Sequence, residues 1–325
     1  MKRVRRLSLL TIVAAIAMAT LVVGLGIRAS TAVFGDQEAT TASAATAACF
    51  VDDAGAPTVT ASIISKTTPY FGGFIKQGSA YYVYASITGA ATRVTADVRP
   101  ITAGEFLAPM TAGAYSVGGV AYGWRSASLT AGSPLAEGAY AYSVSAADAA
   151  LQCRTASSTV TIDDTAPAGT DVQPINNGPG GGSGRPEPGD DIVYSFSEVM
   201  DPESISPGWT GGSRNVVVRI GDYGSNDLLT VWDSTNTTQL PLGSVDLGDN
   251  YVTTNTTFGA SGTASTMVQS GTTITITLGT QAGTTQKVNA NATAVWTPSA
   301  AATDRAGNAS TTTNVTEGGP ADRNF

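Results

Sequence analysis

The chain has 325 residues, with 17 Lys or Arg against 25 Asp or Glu, a formal charge of -8 and no histidine. The missing histidine removes the commonest general base, the usual Ser and Cys triads and most zinc sites. The acidity speaks against nucleic acid, whose binders cluster Lys and Arg. Length, abundant Thr, Ser, Ala and Gly, and short alternating apolar runs suit an all-β chain of two domains.

Lys2, Arg3, Arg5 and Arg6 precede a nearly uncharged stretch from Leu7 to Ile27, and the small residues Ser30, Thr31 and Ala32 follow. A basic start, an apolar run and a small-residue exit describe a secretory signal peptide. The run also reaches the roughly 20 residues of a spanning helix, so an uncleaved anchor is the alternative. Residues 1–32 are therefore signal peptide or membrane anchor, and the remainder is expected outside the cell, touching a membrane only through this segment. Five basic and no acidic residues precede Val33, which leaves 12 basic against 25 acidic residues beyond it, a net charge of -13. Gly26, Thr31, Ala32, Phe34, Asp36 and the Thr/Ala-rich tract over 33–56 resemble the processing region of proteins cut by the SipW-type signal peptidase. The resemblance implies cleavage between Ala32 and Val33. A lipoprotein reading of Ala47-Ala48-Cys49 is weaker, because a polar tract separates this cysteine from the apolar run.

Cys49 and Cys153 are the only cysteines. Outside the cell two cysteines point to a bridge, with two free thiols as the alternative. Closing a loop of this size is worth up to ~4.7 kcal/mol in the chain-entropy model.

Alternation predicts strands at Thr58 to Ile64, Ala80 to Ile87, Arg93 to Val98, Tyr140 to Ala146 and Ser158 to Ile162, a first sandwich over 57–164. Ser145 to Leu151 reads as a strand end with a turn. Glu137-Gly138-Ala139-Tyr140, Ala146-Ala147-Asp148-Ala149 and Thr159-Val160-Thr161-Ile162-Asp163 followed by Asp164-Thr165-Ala166-Pro167 resemble the end of a bacterial Ig-like repeat. Where that family has Gly-Asn in its turn, this chain has Leu151-Gln152 and then Cys153, a departure that fits a bridge-bearing variant.

Asn176 to Gly189 is rich in Gly and Pro but lacks the Lys-Ser/Thr and following helix of a phosphate loop, so 165–189 reads as linker or surface loop. A second sandwich is expected over 190–315, with strands at Gly189 to Glu198, Asn215 to Ile220, Asp227 to Trp232, Thr272 to Leu278 and Ala292 to Trp296 and one or two extra hairpins. Gly189-Asp190, Phe196-Ser197-Glu198, Asp201-Pro202-Glu203-Ser204-Ile205 and Asp304-Arg305-Ala306-Gly307-Asn308 resemble landmarks of bacterial Ig-like surface proteins. Residues 316–325 read as a flexible tail. The fold expected is two tandem Ig-like β-sandwiches after an N-terminal signal or anchor helix.

Asp190, Asp191, Asp201 and Glu203, with Glu198, form the densest acidic group. Such oxygens suit calcium, but EF-hand spacing is absent. The competing reading is a solvated acidic edge that discourages sheet-to-sheet pairing. Tyr115, Tyr122 and Trp124, in a Gly-rich stretch, are candidates for an exposed binding patch, with packing as the alternative. Tyr82 and Tyr84 share a strand face opposite Tyr81, and Trp209, Trp232 and Trp296 read as core anchors.

No catalytic residue and no cofactor other than calcium is assigned, and the chain is not read as an enzyme. The resemblance implies a secreted or cell-surface bacterial Ig-like protein with a structural or adhesive role in the envelope. Its ligand would be an envelope component, a glycan or a protein. One alternative is a self-associating subunit of an extracellular fibre or biofilm matrix, paired through strand edges. Another is a secreted carbohydrate-active enzyme using two carboxylates alone.

Overall fold

The computed structural model describes residues 50–51, 55–67, 71–179 and 184–325. The predicted signal or anchor segment, the cut between Ala32 and Val33, and Cys49 lie outside them. The described residues form one compact unit and are almost entirely strand, arranged in two sheets.

The first sheet contains β1 (Phe50–Val51), β2 (Thr58–Lys66), β3 (Phe74–Ile75), β4 (Ala80–Thr88), β5 (Arg93–Asp97), β6 (Ala108–Val117), β7 (Val120–Ser126), β8 (Leu129–Thr130), β9 (Gly138–Ala147) and β10 (Gln152–Ile162). Its order is β1-β10-β9-β5-β6-β7-β4-β2, with β3 on β10 and β8 on β4. β2 also packs against β9 and β10 without pairing to either, so the sheet folds back over itself. The fold encloses Ile64, Tyr81, Val83, Val94, Val144 and Val160. Burying these apolar faces is the main favourable term. The β6–β7 hairpin occupies the Gly-rich stretch that carries Tyr115, Tyr122 and Trp124. It turns at Gly118 and Gly119, both at positive φ, the conformation a tight hairpin turn demands.

The second sheet contains β11 (Gly169–Ile175), β12 (Asp191–Phe196), β13 (Arg214–Gly221), β14 (Leu228–Asp233), β15 (Gln239–Asp246), β16 (Thr256–Phe258), β17 (Ser265–Ser270), β18 (Thr273–Thr277), β19 (Gln281–Ala282), β20 (Val295–Thr297) and β21 (Val315–Thr316). One helical turn, α1 (Pro202–Ile205), follows β12. The order is β11-β12-β18-β17-β13-β14-β15-β20-β21, with β16 bridging β13 and β19. Along β12, buried Ile192, Tyr194 and Phe196 alternate with half-buried Asp191, Val193 and Ser195, the period-2 pattern of a strand. The rings of Tyr194 and Phe196 meet Trp296 edge-on, with centroids 5.1 and 5.0 Å apart.

Two segments differ from the sequence reading. The stretch read as linker contains β11, which ends the strand order and pairs with β12. Pro174 can sit there because an outermost strand leaves one side of its backbone without a ladder to supply. The expected flexible tail is docked instead. Phe325 is buried and edge-on to Tyr251 at 5.8 Å, and Asn324 Nδ2 donates to the carbonyl of Leu247 at 3.0 Å. Burial of a terminal aromatic ring outweighs the local Gly, Pro and charge signal that suggested looseness.

Candidate functional site

The seam between the two sheets brings together Lys66, Lys76, Asp163, Glu198, Asp201, Asp304 and Arg305. Its central element is the turn Asp304-Arg305-Ala306-Gly307-Asn308, closed by the Asp304 carboxylate. Asp304 Oδ1 accepts the backbone N–H of Gly307 at 2.6 Å and of Asn308 at 2.8 Å, and Oδ2 accepts Asn308 Nδ2 at 2.8 Å. A short acidic side chain satisfying its own turn is the local reason for this fold. Asn308 Nδ2 donates in addition to the carbonyl of Asp163, 2.8 Å away and just beyond the end of β10. One amide thus ties the turn of the second sheet to the exit of the first.

Cations from the first sheet hold the same turn. Lys66 Nζ, at the end of β2, lies 2.6 Å from Asp201 Oδ2 and 3.4 Å from the carbonyl of Asp304. Lys76 Nζ donates to the carbonyl of Gly307 at 2.9 Å. The Arg305 guanidinium returns the contact, lying 4.9 Å from the ring centroid of Phe71 and 5.8 Å from that of Phe74.

Against this frame sit three carboxylates, Asp163, Glu198 and Asp304, each offering an oxygen within 4.8 Å of the others. Burial, followed by the charges of Asp163 and Asp304, pushes Glu198 up to about 7. The Asp163 carboxyl is also raised, chiefly by burial, while its hydrogen bond with Glu198 acts the other way. Glu198 is therefore the proton carrier and Asp163 the acceptor. Three like charges this close cannot all ionise cheaply. Either a proton on Glu198 or a hard cation would relieve the repulsion, and an all-oxygen donor set is the kind that suits calcium or magnesium.

Asp190, Asp191, Asp201 and Glu203 do not draw together in this way. Asp190 is fully buried and accepts the N–H groups of Asn177 at 3.1 Å, Gly178 at 2.8 Å and Glu187 at 2.7 Å, pinning the Gly/Pro-rich loop. Its carboxyl is nonetheless raised, because burial outweighs those three donors. Asp191 accepts from Thr277 Oγ1 at 2.6 Å and Asn177 Nδ2 at 2.7 Å. Asp201 caps α1 through the N–H of Glu203 at 3.1 Å and spends its other oxygen on Lys66. The group with ligand-like spacing was visible only as separate landmarks: Asp163 in the end of the first repeat, Glu198 in the Phe-Ser-Glu strand, Asp304 in the Gly-Asn turn.

Tyr115, Tyr122 and Trp124 do not form an exposed patch. Tyr122 is buried, and Tyr84 lies 5.9 Å from it, 6.3 Å from Tyr115 and 6.1 Å from Tyr82. The Arg125 guanidinium sits 4.5 Å from the rings of both Tyr82 and Tyr115, while Trp124 packs against the main core. The tyrosines lose their exposure to one another and to the arginine that covers them. Cys153 is fully buried on β10. β1 runs parallel to β10 with Phe50 opposite Gln152, so the neighbour of Cys49 faces the neighbour of Cys153. No helix among the described residues is long and apolar enough to cross a membrane. No protein-family profile matches the chain, and no curated protein matches it.

Proposed function

We propose that this is a secreted or cell-surface bacterial protein of two tandem Ig-like modules with a structural or adhesive role in the envelope. The observation that carries the reading is the seam. The sheets are joined by the buried Lys66–Asp201 pair, the Asn308 amide on Asp163 and the Lys76 bond to Gly307. That suits a stiff two-module unit that holds binding surfaces at a set distance from their attachment. The N-terminal basic and apolar segment supports export, and the parallel pairing of β1 with β10 supports a bridge from Cys49 to Cys153. Absence of histidine and the engagement of the carboxylates in turns, caps and the seam favour binding over catalysis.

The test is fractionation of cells producing the full chain, with N-terminal sequencing of the product. The expected result is an extracellular or envelope fraction with Val33 at the N-terminus. An intact N-terminus in the membrane fraction would identify the segment as an anchor and keep the surface role. Recovery in the cytosol with the segment intact overturns the reading.

A further inference from the structure

The outer face of the second sheet carries a cleft that the seam does not use, with a volume of about 480 Å³. It lies over β16, β13, β14 and β15. Arg219 is its centre, projecting from β13 between core residues Val218 and Ile220, with Thr230 opposite on β14 and Thr257 opposite on β16. Trp232, expected in the core, is half-buried here instead, and the Arg219 guanidinium stacks 3.5 Å from its ring centroid.

Asn236 holds that guanidinium by one edge only. Its Oδ1 accepts Arg219 Nε at 2.7 Å and its carbonyl accepts Nη2 at 2.6 Å. Asn236 can offer both oxygens because it takes the left-handed backbone conformation, with φ 57, which Asn tolerates better than most residues. The second edge of the fork, Nη1 with the remaining Nη2 hydrogen, has no partner among the described residues. Two parallel N–H groups of this kind match the two oxygens of a carboxylate.

The rest of the lining is aromatic, amide and hydroxyl. Tyr223 leans against Gly221, where a side chain would displace its ring, and 70% of its surface is exposed. A large aromatic ring this open, backed by backbone and beside a cleft, is a platform for an amphipathic ring. Among the described residues, Asn255 bonds through its Oδ1 alone, to the N–H of Asp222, and Gln239 through its Nε2 alone, to the carbonyl of Gly243. Each therefore keeps a free polar end beside the cleft. Among the described residues that line it, Arg219 is the only charged one, on a chain that is otherwise strongly acidic. A cleft with an aromatic platform, a few placed polar groups and one uncompensated cation fits a ligand that is flat-faced, hydroxylated and anionic.

We propose that this cleft binds an acidic oligosaccharide, with a uronic-acid ring lying on Tyr223 and its carboxylate on the free edge of Arg219. The proposal goes beyond the surface-protein reading and does not depend on it, since purified protein suffices to test it.

The test is calorimetric titration of the full chain with oligogalacturonate and oligoglucuronate, each beside its neutral methyl ester. The acids are expected to bind and the esters at least about tenfold more weakly, a difference of about 1.4 kcal/mol. Tyr223→Ala should weaken binding by about tenfold or more with an unchanged unfolding midpoint, because the ring is mostly exposed. Arg219→Lys should weaken the acids while leaving the weak ester binding as it was, because it keeps the charge and loses the fork. No heat from either acid at low millimolar concentration overturns the proposal. So does equal binding of acid and ester, or full binding by Tyr223→Ala.

Discussion

Lys66 and Asp201 meet at 2.6 Å across the seam of the two sheets, with only 11% and 4% of their side chains exposed. They stand 135 residues apart in the chain. The pair matters less for its own attraction than for what either partner would leave behind, because a lone buried charge is expensive. Lys66→Met is expected to destabilise the protein by about 3 kcal/mol, measured by urea unfolding. Lys66→Met combined with Asp201→Asn should cost clearly less than the two changes summed, since the orphaned charge is gone. Additive costs would show that the two side chains are not coupled.

The three-carboxylate group makes stability depend on pH. Glu198 holds its proton up to about 7 in the folded chain, against an ordinary value of 4.5. Between those values the folded state binds more protons than the unfolded one, so stability falls as pH rises. The contribution is complete below about 4.5 and lost once pH passes about 7. Glu198→Gln keeps a neutral hydrogen-bonding group and should flatten this part of the profile in denaturant titrations across pH. The carboxyls of Asp163, Asp190, Asp227 and Glu317, raised in the same direction, should leave a residual slope behind. A wild-type slope retained in Glu198→Gln would place the proton elsewhere.

Phe325→Ala separates a docked end from a loose one. The ring is buried against Tyr251, and removing a buried Phe costs about 3–5 kcal/mol. A loss of about 3 kcal/mol, read as a lowered melting temperature in calorimetry, is expected. An unchanged melting temperature would mean that the ring adds nothing to the core.

The proposed bridge from Cys49 to Cys153 is checked by mass. Unreduced, unfolded protein should take up no alkylating reagent, and reduced protein should take up two equivalents, one for each cysteine. Reduction should lower stability by up to ~4.7 kcal/mol, the chain-entropy ceiling for a loop near a hundred residues. Alkylation without reductant would show two free thiols.

Much of the strand pattern was legible in the chain. The strands expected at Thr58 to Ile64, Ala80 to Ile87 and Asn215 to Ile220 are covered by β2, β4 and β13, although Val216, Val217 and Val218 are buried in a row. β11 was not legible, because Gly169 and Pro174 read as loop residues until an outermost position in the sheet makes them acceptable. A large aromatic in an apolar strand predicts a core position for Trp232. Its partner Val217 is buried, but Trp232 itself lies on the outer face with Arg219 over it.

Periodicity alone sufficed for the all-β class, since alternation is a property of neighbours along one strand. The missing histidine and the acidic balance are counts that need no fold, and the proposal of a binding role rests partly on them. Which side chains meet was decided by tertiary structure. Asp163, Glu198 and Asp304 belong to three separate segments, and no spacing rule links them. They converge because β10 ends where the Asp304 turn docks, held there by Asn308, Lys66 and Lys76. The cleft around Arg219 depends in the same way on β14 and β16 flanking β13, and on Asn236 occupying one edge of the guanidinium while the other stays open.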